Sequence, residues 1–189
     1  MVDWTNLSYL QQGTPRQQAV YQVLVRLGIF EALQPFSPVL AGTIPLDIDL
    51  PESDLDVICE ANDLDAFQYA VEKAFGTQPG FRIERFLTGK NMSVVANFNV
   101  DGVAVEVFGQ PKPVNQQNAY RHMLIEARLL ELGGEAAKQA IRHLKASGLK
   151  TEPAFARYFR LEGDPYQTLL TLYEYDLEKL KDCIAGLTL

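Results

Sequence analysis

Eight carboxylate side chains occur between Asp47 and Asp65 with no lysine or arginine among them. They are Asp47, Asp49, Glu52, Asp54, Asp56, Glu60, Asp63 and Asp65. Like charges at this density repel one another unless solvent or a cation lies between them. The fold must therefore expose the run as a solvated acidic loop and helix cap, or use part of it in a divalent-metal site. Charge alone favours the solvated loop.

The acidity of the chain is confined to its first part. The chain has 189 residues, is 47% hydrophobic and has a formal net charge of −7. Residues 1–112 contain 7 Lys/Arg and 14 Asp/Glu, whereas residues 113–189 contain 10 of each. This length suits one domain, or a domain with a small helical subdomain. Net acidity disfavours bulk duplex DNA or an anionic membrane as the main partner.

The sequence also predicts a compartment. No apolar run approaches the ~20 residues of a membrane span, and the first residues lack the basic and apolar stretches of a signal peptide. Cys59 and Cys183 have no spacing typical of a metal site or a disulfide framework. We therefore expect a cytoplasmic protein.

Hydrophobic periodicity predicts helices and strands up to Phe108 and helices only thereafter. The predicted helices run from Thr14-Pro15 to Gly28, from Asn62 or Asp63 to about Phe75, and then over roughly 114–132, 135–147 and 164–185. The predicted strands are Val39–Ala41, Ser53–Cys59, Phe81–Leu87, Met92–Val100 and Val103–Phe108, with Asp101-Gly102 as a hairpin turn. This pattern predicts an α+β (α/β) fold: a small mixed sheet with flanking helices over residues 1–112, and a C-terminal helical bundle over residues 113–189.

Three carboxylates occur on the predicted strands. Alternation places Asp54 and Asp56 on one face and apolar Leu55 on the other. Glu106 lies within an otherwise apolar strand, where a buried and unpaired carboxylate is costly. If the two strands are neighbours, the three carboxylates converge into an oxygen cluster suited to one or two Mg²⁺ ions. Such ions serve phosphoryl or nucleotidyl transfer.

A Gly-Thr pair precedes the acidic strand by ten residues. Gly42 allows close approach of the backbone to a phosphate, and the Thr43 hydroxyl can donate to its oxygens. The order of strand, Gly-Thr, Asp-Leu-Asp-Val and a later Val-Glu-Val resembles the signature of the nucleotidyltransferase superfamily typified by DNA polymerase beta. Thr43 departs from the usual Ser or Gly, and Glu106 from the usual Asp.

Longer stretches look like a bacterial family of uncharacterised proteins placed in that superfamily. These stretches are Gly-Thr-Ile-Pro-Leu, Ser-Asp-Leu-Asp-Val-Ile-Cys-Glu, Ala-Tyr-Arg-His-Met and Lys-Thr-Glu-Pro-Ala-Phe-Ala. This closer resemblance implies a fold but no established activity.

The superfamily resemblance implies a set of roles. The catalytic carboxylates Asp54, Asp56 and Glu106 would ligate two Mg²⁺ ions, or Mn²⁺ in their place. Gly42, Thr43, Ser53 and Lys150 would bind a nucleoside triphosphate (NTP), with ATP as the expected donor of NMP. The acceptor hydroxyl stays open between a small molecule, an RNA end and a protein, as does the oligomeric state.

Two other functions remain open. The chain could be a binding or regulatory module that keeps the fold without turnover, such as an antitoxin-like partner of another protein. It could also catalyse a different Mg²⁺-dependent phosphotransfer, such as pyrophosphate transfer.

Several other residues have competing interpretations. Asp47-Ile48-Asp49-Leu50 repeats the acidic pattern, but only three residues separate it from Thr43, so Asp54 and Asp56 are preferred. Lys138, Arg142 and Lys145 share one helix face, which is either solvated surface or a basic wall for a triphosphate. His122 is the better functional candidate of the two histidines, although a structural or surface role is favoured.

Overall fold

A computed structural model describes residues 2–185, with the backbone alone at Thr88. The helices of the first part are α1 (Ser8–Gln11), α2 (Pro15–Leu27), α3 (Ile29–Ala32) and α4 (Leu64–Phe75), with a 3₁₀ turn at Gln34–Phe36. The strands are β1 (Val39–Ala41), β2 (Leu55–Glu60), β3 (Arg82–Thr88), β4 (Asn91–Val100) and β5 (Val103–Gln110). A second 3₁₀ turn at Val114–Gln116 precedes α5 (Asn118–Ala146), α6 (Thr151–Tyr158), α7 (Pro165–Tyr173) and α8 (Leu177–Ile184).

The chain forms two compact units. The first unit contains the chain up to Pro45 and then Glu52–Gln117, and the second contains Leu46–Pro51 and the chain from Asn118 onward. The short Leu46–Pro51 segment therefore belongs to the helical unit, although its covalent neighbours on both sides belong to the sheet unit.

A five-stranded mixed sheet forms the first unit. The strand order is β1-β2-β5-β4-β3, in which β2 and β5 are parallel and the other neighbours are antiparallel. The turn between β4 and β5 is Asp101-Gly102, and both residues have positive φ angles (52° and 80°). This is the hairpin that the sequence predicts, since an Asp-Gly pair tolerates such angles. The predicted α+β class is confirmed.

The core of the sheet unit lies between one face of the sheet and the helices. Phe67, Val71 and Phe75 of α4 are buried there, with Val20 and Leu24 of α2. Helix α2 begins with a capping box in which the Thr14 side chain accepts from the Gln17 amide and the Gln17 side chain accepts from the Thr14 amide.

The second unit is built from α5 to α8. Gly134 has a non-helical conformation (φ 62°, ψ −159°) that breaks α5, in agreement with the predicted gap between residues 132 and 135. The single helix predicted over 164–185 is wrong: α7 ends at Tyr173, and Asp176 starts α8 by accepting from the Lys179 amide. Over residues 2–185, no helix is long and apolar enough to cross a membrane.

Candidate active site

The centre of the sheet places two of the predicted carboxylates side by side. Strands β2 and β5 are parallel neighbours, and their register pairs Asp56 with Glu106. Paired residues on adjacent strands project from the same face, at a strand spacing of about 4.8 Å. Asp54 directly precedes β2 and is exposed, whereas Asp56 and Glu106 are half-buried. The two strands are thus neighbours, as convergence of the carboxylates requires, while the roles of the carboxylates remain predictions.

Apolar residues on the opposite face fix the direction in which these carboxylates point. Leu55 and Val57 alternate with Asp56 along β2 and are fully buried in the core of the sheet unit. Val105 and Val107 occupy the equivalent positions on β5. Turning either strand over would expose two core residues and bury a carboxylate, so the hydrophobic effect maintains the acidic face.

The turn after β1 brings backbone against the carboxylate of Asp56. Ala41 of β1 pairs with Asp56, and Gly42 follows with φ of +76°. A Cβ atom added at Gly42 would lie 2.1 Å from Oδ2 of Asp56. Glycine is therefore required here both by its φ angle and by the contact. The Asp56 carboxylate occupies the place that a side chain at Gly42 would take, and the half-buried Thr43 follows the glycine.

The carboxylates also interact through their charges. Partial burial, and then the nearby negative charge of Asp54, raise the pKa of Glu106 above its usual value. The ionised form of Glu106 is thus destabilised by lost hydration and by repulsion. A bound cation or a proton would relieve both effects.

Asp54, Asp56 and Glu106 all carry carboxylate oxygens. These are the ligands that a hard divalent cation such as Mg²⁺ prefers. Across residues 2–185, however, no group of three or more His, Cys, Asp or Glu side chains is gathered closely enough to hold a metal ion as it stands. The number of ions therefore remains a prediction.

The other predicted nucleotide-binding residues lie at two different places. Ser53 is half-buried and directly precedes Asp54, so it lies at the start of the acidic strand. Lys150 is exposed and occupies the N-cap position of α6, in the helical unit. Gly42, Asp56 and Glu106 are brought together within the sheet unit, whereas Lys150 belongs to the other unit and its role stays a prediction.

The basic helix face has a structural role that neither sequence interpretation included. Lys138 Nζ lies 3.0 Å from Oδ2 of Asp47, and Arg142 Nη2 lies 2.5 Å from Oδ1 of the same residue. Lys145 is buried and donates to the Ile48 carbonyl at 2.8 Å. The three cations therefore anchor the Leu46–Pro51 segment within the helical unit. The available sequence signal was an acidic residue between the apolar residues Leu46 and Ile48.

His122 lies in a buried polar cluster of the helical unit. Its Nε2 is 3.0 Å from the Tyr166 carbonyl, and its Nδ1 is 3.5 Å from Oε1 of Glu152. Burial, and then the charge of Glu152, raise the pKa of the neighbouring Glu126 well above its usual value, against an opposing effect of Lys145. These contacts join α5 to α6 and α7, so they support the structural interpretation of His122.

The fold is similar to the nucleotidyltransferase-type fold of several solved structures. The structure of the GLD-2/RNP-8 complex has a TM-score of 0.54 and 12% identity, over 92% of this chain and 70% of that one. A cytoplasmic RNA terminal U-transferase has a TM-score of 0.53 and 13% identity, over 88% of this chain and 52% of that one. The Cid1 poly(U) polymerase with bound MgGTP has a TM-score of 0.50 and 13% identity, over 87% of this chain and 50% of that one.

This chain thus spans about half the length of the last two structures. At 12–13% identity, the similarity establishes the fold alone. No curated protein shows significant sequence similarity to the chain. Residues 22–172 do match a sequence family described as "Domain of unknown function (DUF4269)". Because that match covers most of the chain, this protein belongs to the DUF4269 family.

Proposed function

We propose that this protein is a nucleotidyltransferase that transfers NMP from an NTP to a hydroxyl group of an acceptor. The observation that carries the proposal is the pairing of Asp56 with Glu106 on adjacent parallel strands, with the Gly42 backbone against the Asp56 carboxylate. Two carboxylates beside a glycine turn support the binding of a metal-bridged phosphate, and the polymerase-type fold is consistent with that use.

Each residue has a defined part in the proposed reaction. Asp54, Asp56 and Glu106 hold Mg²⁺, which when bound polarises phosphate oxygens and offsets their charge. Gly42 and Thr43 donate backbone and hydroxyl hydrogen bonds to the phosphates, and Ser53 adds a hydroxyl beside them. Lys150 supplies a positive charge for the triphosphate.

Glu106 is the proposed proton acceptor. The acceptor hydroxyl attacks the α-phosphorus, a new P–O bond forms, and the bond to the leaving pyrophosphate breaks. The hydroxyl proton passes to the carboxylate of Glu106, which lies beside Asp56 on the adjacent strand. The rest of the rate acceleration comes from positioning and charge neutralisation.

Calorimetric titration of Mg²⁺-ATP tests the nucleotide site. Wild type is expected to bind, and the Asp54→Ala/Asp56→Ala variant to bind at least about tenfold more weakly, because the charge-assisted contacts are lost. The control is Glu131→Ala/Asp182→Ala, which removes two exposed carboxylates of the helical unit and should bind as wild type does. Equal binding by all three proteins, or no binding by wild type, contradicts the proposal.

A non-catalytic binding module is the second candidate. It is favoured by the absence of a pre-gathered metal cluster over the described part of the chain. Mass spectrometry after incubation with each Mg²⁺-NTP and a panel of RNA, nucleotide and protein acceptors separates the functions. Addition of NMP supports nucleotidyl transfer, addition of pyrophosphate supports the other phosphotransfer, and binding without any product supports the module.

A further inference from the structure

A row of polar residues crosses the sheet beyond the two paired carboxylates. The register pairs Asp56 with Glu106, Glu106 with Asn97, and Asn97 with Arg82. These four residues, which we call the polar row, occupy consecutive strands β2, β5, β4 and β3 and share one face of the sheet. The row depends on the order and register of four strands, which the sequence alone does not reveal.

The polar row has opposite charges at its two ends. Asp56 and Glu106 are half-buried carboxylates, whereas Asn97 and Arg82 are exposed. Two strand spacings, roughly 10 Å, separate the backbone of Glu106 from that of Arg82. Asn97 lies between them and can both donate and accept hydrogen bonds. The row therefore runs from negative through neutral to positive.

The Arg82 side chain, unlike that of its neighbour Arg85, has no hydrogen-bond or ion-pair partner among the described residues. Arg85 donates to Gln68 and forms an ion pair with Asp65 of α4 at 2.6 Å. Over residues 2–185, the Arg82 side chain forms no hydrogen bond or ion pair with any other residue. The acidic group closest to it along its own face is Glu84, two residues further along β3, or about 7 Å away.

We propose that Arg82 and Asn97 bind the acceptor, and that the acceptor carries a phosphate group near its reactive hydroxyl. This inference rests on the proposed function, because it uses Glu106 as the end at which the hydroxyl reacts. The carboxylates repel an anionic group and Arg82 attracts it, so the row orients such an acceptor with its hydroxyl at Glu106. The phosphate can belong to a free nucleotide or to the 3′ end of an RNA strand.

The competing explanation is that Arg82 protects a sheet edge. β3 is an edge strand, and charged residues on edge strands prevent pairing with other chains. That role needs the charge but no ligand, so it predicts no effect of Arg82 on binding. It also assigns no task to Asn97, which lies on the interior strand β4.

NMR titrations in magnesium-free buffer test the proposal without requiring turnover. The probes are AMP, the oligonucleotide r(A)5 and, as the uncharged match, adenosine. The proteins are wild type, Arg82→Gln, Arg82→Lys and the control Arg157→Gln, which removes the same charge from an exposed position in α6. Because Arg82 is exposed, its variants are expected to retain wild-type spectra outside the polar row.

We expect wild type to bind AMP or r(A)5 more tightly than adenosine, with shifts at Asn97 and Arg82. Arg82→Gln should weaken phosphate-dependent binding about tenfold, Arg82→Lys should restore part of it, and Arg157→Gln should not change it. For r(A)5, the slope of log affinity on log salt should fall by about 0.7 in Arg82→Gln, the value of one phosphate contact.

Binding of AMP alone would identify a free nucleotide as the acceptor, and binding of r(A)5 alone an RNA end. Failure of wild type to bind either anion, or equal affinity in wild type and Arg82→Gln, would overturn the inference. Failure of Mg²⁺-ATP to bind in the separate calorimetric test would overturn the proposed function instead, so the two failures are distinguishable.

Discussion

At the scale of single residues, the acidic face is a compromise between stability and charge. Asp56 and Glu106 share one side of the sheet, and Gly42 leaves no room for an added side chain beside Asp56. Folding does not require a carboxylate at Glu106, since Val105 and Val107 already anchor its strand. Residues that are unfavourable for the fold are typical of functional sites.

Removing the charge of Glu106 should therefore stabilise the protein. We expect Glu106→Gln to raise the free energy of unfolding at pH 7 by about 0.2–1 kcal/mol, the size of an ordinary exposed charge contact. Because the folded-state pKa of Glu106 is raised above 4.5, its ionisation destabilises the folded state. Wild type thus recovers this stability as the pH falls through the folded-state pKa towards 4.5, and the variant does not.

Urea denaturation of both proteins at pH 7 and pH 4.5 measures this difference. Glu84→Gln, which removes an exposed carboxylate on the same face, serves as the control. A wild-type protein more stable than Glu106→Gln at pH 7, or a difference that does not shrink on acidification, would contradict the expectation.

At the scale of elements, the Leu46–Pro51 segment depends on contacts that are distant in sequence. Asp47 has a φ of 55°, and it is held by Lys138 and Arg142, about ninety residues further along the chain. Its side chain is only 18% exposed, so these pairs are stronger than surface pairs. The segment also connects the Gly42-Thr43 turn to the acidic strand.

Asp47→Asn should consequently destabilise the protein. The side chain keeps its shape but leaves two partly buried cations without their anion, and we expect a loss of about 1–3 kcal/mol, between surface and buried ion pairs. Urea denaturation measures the loss. Glu178→Gln, which removes the partner of Lys181 at an exposed position, should change stability by less than about 0.5 kcal/mol. Equal effects of the two variants would show that the Asp47 pairs do not anchor the segment.

Local sequence signals predict most helices and strands of this chain. Features that depend on residues distant in sequence could not be predicted in the same way. The Thr14-Pro15 start of α2, the Asp101-Gly102 turn and the break near Gly134 are encoded by neighbouring residues, and all three were predicted. The sequence predicts convergence of the carboxylates only if β2 and β5 are neighbours. It does not predict that pairing itself, because the paired residues are fifty positions apart. The break at Asp176 was missed, although an aspartate can cap a helix.

At the scale of the whole molecule, the two units divide the net charge of −7 unevenly. The sheet unit, with Leu46–Pro51 excluded, has 12 Asp/Glu and 7 Lys/Arg, or −5. The helical unit, with that segment included, has 12 Asp/Glu and 10 Lys/Arg, or −2. Reassigning Asp47 and Asp49 thus lowers the surplus of the sheet unit, yet most of it still lies in the unit that carries Asp54, Asp56 and Glu106.

A specific cation site and general repulsion among these charges predict different responses to salt. Repulsion alone is relieved by any salt at equal ionic strength. Binding at the carboxylates stabilises the folded state by about 1.4 kcal/mol at a tenfold excess of Mg²⁺ over its Kd, which raises the Tm by roughly 3–5 °C for a chain of this length. We expect this rise with MgCl₂, measured by thermal unfolding against NaCl of the same ionic strength. Asp54→Asn/Asp56→Asn should respond equally to the two salts. If the two salts raised the Tm of wild type equally, charge repulsion alone would explain the effect. The acidic face would then bind no metal that could support the proposed reaction.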